Sequence, residues 1–298
     1  MKTLNVILSF AVAVTLAKAT LAGTACTASS EHSDHTNTDS ALFGDADGYC
    51  TFTPQSMKVK IYEFGLCTGP SSPIGASSQT DKSACTTLFS SPTGTEIDLA
   101  VGLSANLTDG VTLAEGTYSN AYLVLSNVTS LKGSHTFSSP RTDLDGNSGT
   151  ICYTDGRSVD DPNTESIITC GASDAAVHSV ETIRFGDIEN NWYNAELLNY
   201  QVSVAGTNVV TDLYMVDSSG VLSTQFSDDF AIYGDQTLTA PVSITPTTSG
   251  LDVGISITNA IALGFMDPSD GDCEGGIGTK GCPDDALFMG LKFLVSSN

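Results

Sequence analysis

The chain has 298 residues, with 34 Asp and Glu against 11 Lys and Arg, for a formal net charge of −23 with histidine neutral. So acidic a surface repels nucleic acid and anionic lipid, which argues against both as partners, and it carries no information about fold. The length allows one or two domains, and no stretch beyond the N-terminal region is long and apolar enough to span a bilayer.

Residues 1–22 read as a secretory signal peptide. Met1-Lys2 is a charged start, Val6 to Leu16 an apolar core, and Ala17-Lys18-Ala19 and Leu21-Ala22-Gly23 are small-residue cleavage sites. The core falls short of the roughly 20 residues that a spanning helix needs. Cys26 raises the alternative of a lipid-modified first residue, but the residues before it lack the Leu usual three positions upstream. All eight cysteines follow the leader: Cys26, Cys50, Cys67, Cys85, Cys152, Cys170, Cys273 and Cys282. An even number in an exported chain implies disulfides, although the sequence alone leaves their connectivity open. Polar loops between neighbouring cysteines favour the local pairs Cys26–Cys50, Cys67–Cys85, Cys152–Cys170 and Cys273–Cys282. No pair has the C-x-x-C spacing of a zinc or redox site.

Residues 23–48 are polar and read as an exposed arm, too poor in apolar side chains to offset the entropy of ordering. Within it, Glu31-His32-Ser33-Asp34-His35 holds two good metal ligands where nothing fixes their geometry. The arm ends in Asp45-Ala46-Asp47-Gly48, the first of three acidic-glycine clusters.

Residues 49–175 are expected to form one β lobe. Met57, Val59 and Ile61 alternate with polar or amphipathic neighbours at strand period. Thr95 to Val101 and Gly116 to Val128 read as further strands, the second around the apolar run Ala121 to Leu125. Leu113-Ala114-Glu115-Gly116-Thr117-Tyr118 resembles the Leu-x-x-Gly-x-Tyr step that introduces a strand in secreted prealbumin-like and surface-exposed β-sandwich domains. The resemblance covers only this step. It implies a sandwich and an extracellular role, and it carries no catalytic residue. Asn106-Leu107-Thr108 and Asn127-Val128-Thr129 match the N-glycosylation pattern. Asp143-Leu144-Asp145-Gly146-Asn147 is the second acidic cluster, with Asp143, Asp145 and Asn147 spaced like the start of an EF-hand loop. Ser148 replaces the required Gly, and no closing Glu follows.

Residues 176–298 read as a second β lobe or as the rest of the same domain. Asn191 to Tyr200 is the one short helix expected, with Trp192, Ala195 and Leu198 on one face. Strands are expected at Tyr200 to Val204, Asn208 to Val216, Val221 to Phe226 and Pro241 to Thr245. Leu251, Val253, Ile255 and Ile257 alternate cleanly, as do Leu287, Met289, Leu291, Phe293 and Val295. The segment Ala286 to Val295 therefore has one apolar face and suits a strand lent to a neighbouring molecule. Between them lies the third acidic cluster, with Asp267, Asp270 and Asp272.

The fold expected is all-β, an antiparallel sandwich stapled by disulfides, in one domain or two lobes. Calcium is the cofactor that the chemistry of Asp45, Asp47, Asp143, Asp145, Asn147, Asp267, Asp270 and Asp272 allows, since carboxylates on Gly-bent loops suit it. His135 and His178 show no partner in the sequence, and no G-x-S-x-G elbow or H-E-x-x-H helix is present. The function expected is that of a secreted or cell-surface structural or adhesive protein without catalytic activity, a filament or surface-layer subunit. Its partners would be copies of itself, another surface protein, or glycans. The alternatives are a secreted polysaccharide hydrolase using an Asp/Glu pair and a calcium-dependent binding module.

Overall fold

The computed structural model describes residues 21–22, 25–30, 48–71, 79–100, 114–159, 166–183, 200–203, 210–223, 228–248, 251–266, 281–288 and 290–297. Every regular element among them is a β-strand. The first eight are β1 (Leu21–Ala22), β2 (Gly48–Phe52), β3 (Ser56–Cys67), β4 (Cys85–Ala100), β5 (Gly116–Ser126), β6 (Val128–Lys132), β7 (Ser134–Thr142) and β8 (Ser148–Thr154). Then come β9 (Ser158–Val159), β10 (Ile168–Gly171), β11 (Ser179–Thr182), β12 (Tyr200–Ser203) and β13 (Val210–Val216). The last five are β14 (Ala231–Ile244), β15 (Leu251–Ser256), β16 (Ile261–Met266), β17 (Cys282–Phe288) and β18 (Lys292–Ser297). No helix among the described residues is long and apolar enough to cross a membrane. The expected helix at Asn191 to Tyr200 lies almost wholly outside the described residues, and its last residue opens β12.

One ten-stranded sheet dominates, in the order β1-β12-β13-β14-β5-β3-β6-β11-β9, with β4 on the other side of β3. Its pairings are antiparallel apart from β1 with β12 and β9 with β11. β3 is the axis. One of its edges pairs with β4 over nearly its full length, and the other is shared between β5 and β6. Two three-stranded sheets, β10-β8-β7 and β17-β16-β2, and the pair β15-β18 complete the fold.

These small sheets face the large one across a continuous apolar core. Met57, Val59, Ile61, Leu123 and Ile232 of the large sheet share it with Phe137, Ile168, Ile261 and Phe265 of the small ones. The expected alternation at Val253, Ile255 and Ile257 is real, since all three are buried. The matching pattern near the C-terminus is not a single strand. Gly290 takes a left-handed φ of 104° and breaks the run, so β17 joins one small sheet and β18 another.

Three disulfides join Cys26 to Cys50, Cys67 to Cys85 and Cys152 to Cys170, and Cys282 is also disulfide-bonded. Cys273 lies outside the described residues. Such bonds belong to an oxidising compartment. The first tethers the start of the polar arm. There Cys26 N–H donates to the Thr51 carbonyl at 2.7 Å and Ser138 N–H to the Ala28 carbonyl at 2.6 Å. Ala25 and residues 27–29 remain exposed although they are anchored.

At the head of β5, the Tyr118 hydroxyl donates to the Ala114 carbonyl at 3.0 Å, four residues upstream, while its ring is buried. That is the geometry of a tyrosine corner, a device of β-sandwich domains that pins the chain as it enters a strand. It gives the Ala114 to Tyr118 step a physical role.

Candidate functional site

Side chains alternate between the two faces of a strand, so the large sheet has a second face to furnish. In β13, Leu213 and Met215 enter the main core, while Tyr214 and Val216 stand on the other side. In β14, Ile232 goes to the core, and Ala231 and Tyr233 to the second face. In β5, Leu123 and Leu125 go one way, and Tyr122 and Val124 the other. Register aligns these residues in a row. Tyr214 lies opposite Tyr233, Tyr233 opposite Val124, and Val124 opposite Glu63 of β3.

Glu63 reaches this row because β3 is bulged. Met57, Val59 and Ile61 alternate into the core, and strict alternation would send Glu63 after them. The register shifts between Ile61 and Glu63, leaving Tyr62 as the extra residue. A single inserted residue inverts the phase of everything that follows. Phe64 and Leu66 become the core residues, and Glu63 stands on the tyrosine face.

Gly65 pairs with Tyr122, and a Cβ there would sit 2.4 Å from the Tyr122 ring. The missing side chain lets that ring lie across β3. Its hydroxyl donates to Glu63 Oε1 at 2.7 Å, and Thr87 Oγ1 donates to the same oxygen at 3.1 Å. Lys82 forms an ion pair with Glu63 Oε2. Its ammonium lies 5.2 Å from the Tyr122 ring centre and 6.0 Å from that of Tyr233. These two rings stack at 5.8 Å and 13°.

Burial pushes the Glu63 carboxyl upward, but hydrogen bonds from Lys82 and Tyr122, with the lysine charge, outweigh it and hold Glu63 below its ordinary value. Burial pushes both phenols upward: the neighbouring Glu63 carboxylate adds to the rise at Tyr122, and Asp235 at Tyr233. Neither tyrosine is suited to act as a base.

Lys82 arrives on the segment closed by the Cys67–Cys85 bond. Thr80 N–H donates to the Gly220 carbonyl at 3.4 Å, and Gln79 bridges to Val221. At the near end of the same segment, Ser71 N–H donates to Asp235 Oδ2 at 2.5 Å, and the Ser71 hydroxyl donates to that oxygen too. Asn120 Nδ2 donates to Asp235 Oδ1 at 2.8 Å, and the Tyr233 hydroxyl donates to Ser71 Oγ at 2.6 Å.

A cleft of about 280 Å³ lies between this segment, Ser90 to Pro92 of β4 and the turn at Asp217 to Gly220. Tyr233, Val124 and Ala231 line its base. Tyr62 and Phe230 form its aromatic side, with ring centres 5.1 Å apart at 33°. Glu63 and Asp217 both line it, so a carboxylate pair is present. A glycosidase acid must be held above its ordinary pKa to keep its proton, and Glu63 moves the other way. Asp217 Oδ1 accepts N–H bonds from Ser219 at 2.8 Å and Val221 at 2.9 Å, which fixes the turn. The arrangement is suited to holding a ligand.

A second cluster joins three distant residues. Ser56 Oγ donates to Asp98 Oδ1 at 2.9 Å and lies 3.0 Å from His178 Nε2. Burial lowers the His178 pKa, with Asp98 pulling it back up. The residue types are those of a nucleophilic triad, but the order is different. Here the serine bonds to the carboxylate, whereas in a triad the acid orients the histidine. His135 also has a partner, the Thr27 carbonyl 3.0 Å from Nε2.

Of the acidic clusters, only the second falls in the described residues. Asp45, Asp47, Asp267, Asp270 and Asp272 lie outside them, as do His32 and His35. Asp143 is buried, and its carboxylate accepts bonds from Asn147 N–H at 2.8 Å, Thr169 Oγ1 at 2.8 Å and Cys170 N–H at 2.9 Å. Asp145 pairs with Arg157 at 2.7 Å. Among the described residues no group of three or more His, Cys, Asp or Glu is placed to hold a metal ion.

The chain matches no family model, and no match was found among curated proteins or solved structures. The chemistry of the site therefore stands on its own geometry. Sequence reading missed Glu63, Lys82, Tyr122 and Tyr233, because their contacts join segments far apart in the chain. The one local signal was the loss of alternation at Tyr62-Glu63.

Proposed function

We propose that this protein is a secreted or cell-surface structural subunit without catalytic activity, which assembles with copies of itself through the outer edge of β4. The observation that supports this reading is the edge itself. β4 is 16 residues long, only Leu88 and Leu99 of it are buried, and among the described residues it pairs only with β3. Such an edge offers a row of backbone donors and acceptors to another strand. Pro92 and the unpaired residues 91–94 interrupt it midway, leaving Cys85 to Ser90, where the register shifts again at Leu88, and the regularly paired Thr95 to Ala100. Interruptions of this kind limit indiscriminate pairing. β18, which overlaps the end of the Ala286 to Val295 segment suited for lending, is already paired with β15 of its own chain.

Sedimentation and electron microscopy of the purified protein, over rising concentration and salt, test the proposal. The expected outcome is ordered assemblies. Thr95→Pro and Glu96→Pro form the decisive pair, since successive N–H groups point to opposite sides of a strand. The variant that removes an outward N–H should stay folded and monomeric. A wild-type chain that remains monomeric throughout, or assembly by both folded variants, overturns the proposal.

A further inference from the structure

We propose that the cleft between β3, β4 and the Asp217–Gly220 turn is a binding site for a neutral saccharide. Four observations converge on that ligand. The first is shape. The cleft is open and close in volume to the lower end of small-molecule sites, roughly 300 Å³. It suits a short piece of chain better than a large cofactor.

The second is the aromatic side. Four large apolar side chains are exposed among the described residues, and Phe230 is the only aromatic one, at 41 %. Its ring packs against that of Tyr62, and both line the cleft. An aromatic face left in water beside a cavity is available to a flat, weakly polar surface, and the C–H face of a pyranose is one.

The third is charge. Lys82, the one cation among the described residues that line the cleft, is spent on Glu63, which leaves it poorly placed to hold a phosphate, sulfate or uronate. The chain's charge of −23 repels polyanions in any case. Glu63 is in turn spent on Lys82, which weakens the attraction for a cation. The fourth is the polar complement. Thr80, Ser90, Ser91, Ser218 and Ser219 line the same cleft. Hydroxyls that can both donate and accept match the hydroxyls of a sugar.

The inference does not rest on assembly, because it is read on the monomer. The test is isothermal calorimetry and saturation-transfer NMR on the full chain. The probes are a panel of tetrasaccharides of glucose, mannose, galactose and N-acetylglucosamine, with a uronic acid tetramer and tetramethylammonium as charged probes. At least one neutral probe should bind saturably at millimolar concentration or below. Phe230→Ala and Tyr62→Ala should each weaken it by about tenfold, while Phe230→Trp keeps it. Melting curves show whether each variant is folded. Circular dichroism and a second, milder variant, Phe230→Leu, cover the case in which an alanine variant does not fold. The proposal is overturned if no neutral probe binds at about 10 mM. Unchanged binding in the folded Phe230 and Tyr62 variants overturns it too, as does preference for either charged probe.

Discussion

At the scale of single residues, Gly65 and Glu63 decide what the second face of the sheet can be. Gly65 is required by contact, since a methyl group there would collide with Tyr122 and with the Thr86 carbonyl 2.6 Å away. The carbonyl cannot give way without disturbing the β3–β4 ladder. Gly65→Ala should therefore destabilise the protein by about 1–3 kcal/mol, measurable by urea unfolding. It should also displace the Tyr122 ring and loosen the Glu63 bond. Glu63 has a pH signature. Its folded pKa lies below the ordinary value of 4.5. An acid shifted down contributes stability that is complete above its unfolded pKa and is lost as pH falls through the folded one. Wild type should thus lose stability below about pH 4.5 more steeply than Glu63→Gln. At pH 7 the variant should be the less stable of the two, because the Lys82 charge loses its partner. Thermal melts of both proteins at pH 3, 5 and 7 check this, and parallel curves would show that the ion pair contributes nothing.

At the scale of elements, the Asp143 turn separates two roles that the sequence presents as one motif. The spacing of Asp143, Asp145 and Asn147 suggested a shared ligand set. In the fold, Asp143 is 2 % exposed and ties its own turn to β10 through Thr169 and Cys170. Asp145 points to Arg157, and the pair is at least one-third exposed on both sides. Removing the carboxylate of Asp143 leaves buried N–H donors unpaired, and a lost bond to a charged acceptor costs about 1.5–3 kcal/mol. An exposed ion pair is worth about 0–1 kcal/mol. Asp143→Ala should accordingly lower the melting temperature by several degrees, and Asp145→Ala should leave it almost unchanged. Comparable losses in the two variants would mean that the carboxylates act together, as in a shared cation site. Melting with and without added calcium would then identify the cation.

At the scale of the whole molecule, charge sets the conditions under which the fold and its edge can work. A net charge of −23 on one chain opposes compaction through self-repulsion, and salt screens that repulsion over about 8–10 Å at moderate ionic strength. The melting temperature should rise as sodium chloride goes from low to moderate concentration and then level off. A flat or falling curve would show that local pairs such as Glu63–Lys82 and Asp145–Arg157 outweigh the net charge. The same screening governs assembly. Glu96 and Asp98 lie in the Thr95 to Ala100 half of β4, so two such edges meeting would bring carboxylates together. Assembly through β4 should therefore begin at lower salt for Glu96→Gln than for wild type.

The sequence by itself determined the strand character of the chain, and it favoured the three local cysteine pairs that the structure shows. These depend on short-range information, the two-residue period of buried side chains and the length of the loops between cysteines. Met57-Val59-Ile61 and Val253-Ile255-Ile257 were legible because one face of each meets an apolar core. The C-terminal run misled, because Gly290 turns the chain inside an otherwise regular alternation. Only the tertiary structure decided the candidate site. Tyr122, Tyr233, Glu63 and Lys82 belong to segments up to 170 residues apart by position, as in Glu63 with Tyr233 and its bond to Ser71, 162 residues away. Ser56 and His178 meet across 122 residues. No local pattern encodes such meetings. They arise from strand register, which is fixed when the apolar faces find one another, and from a one-residue bulge at Tyr62 that turns Glu63 away from the core.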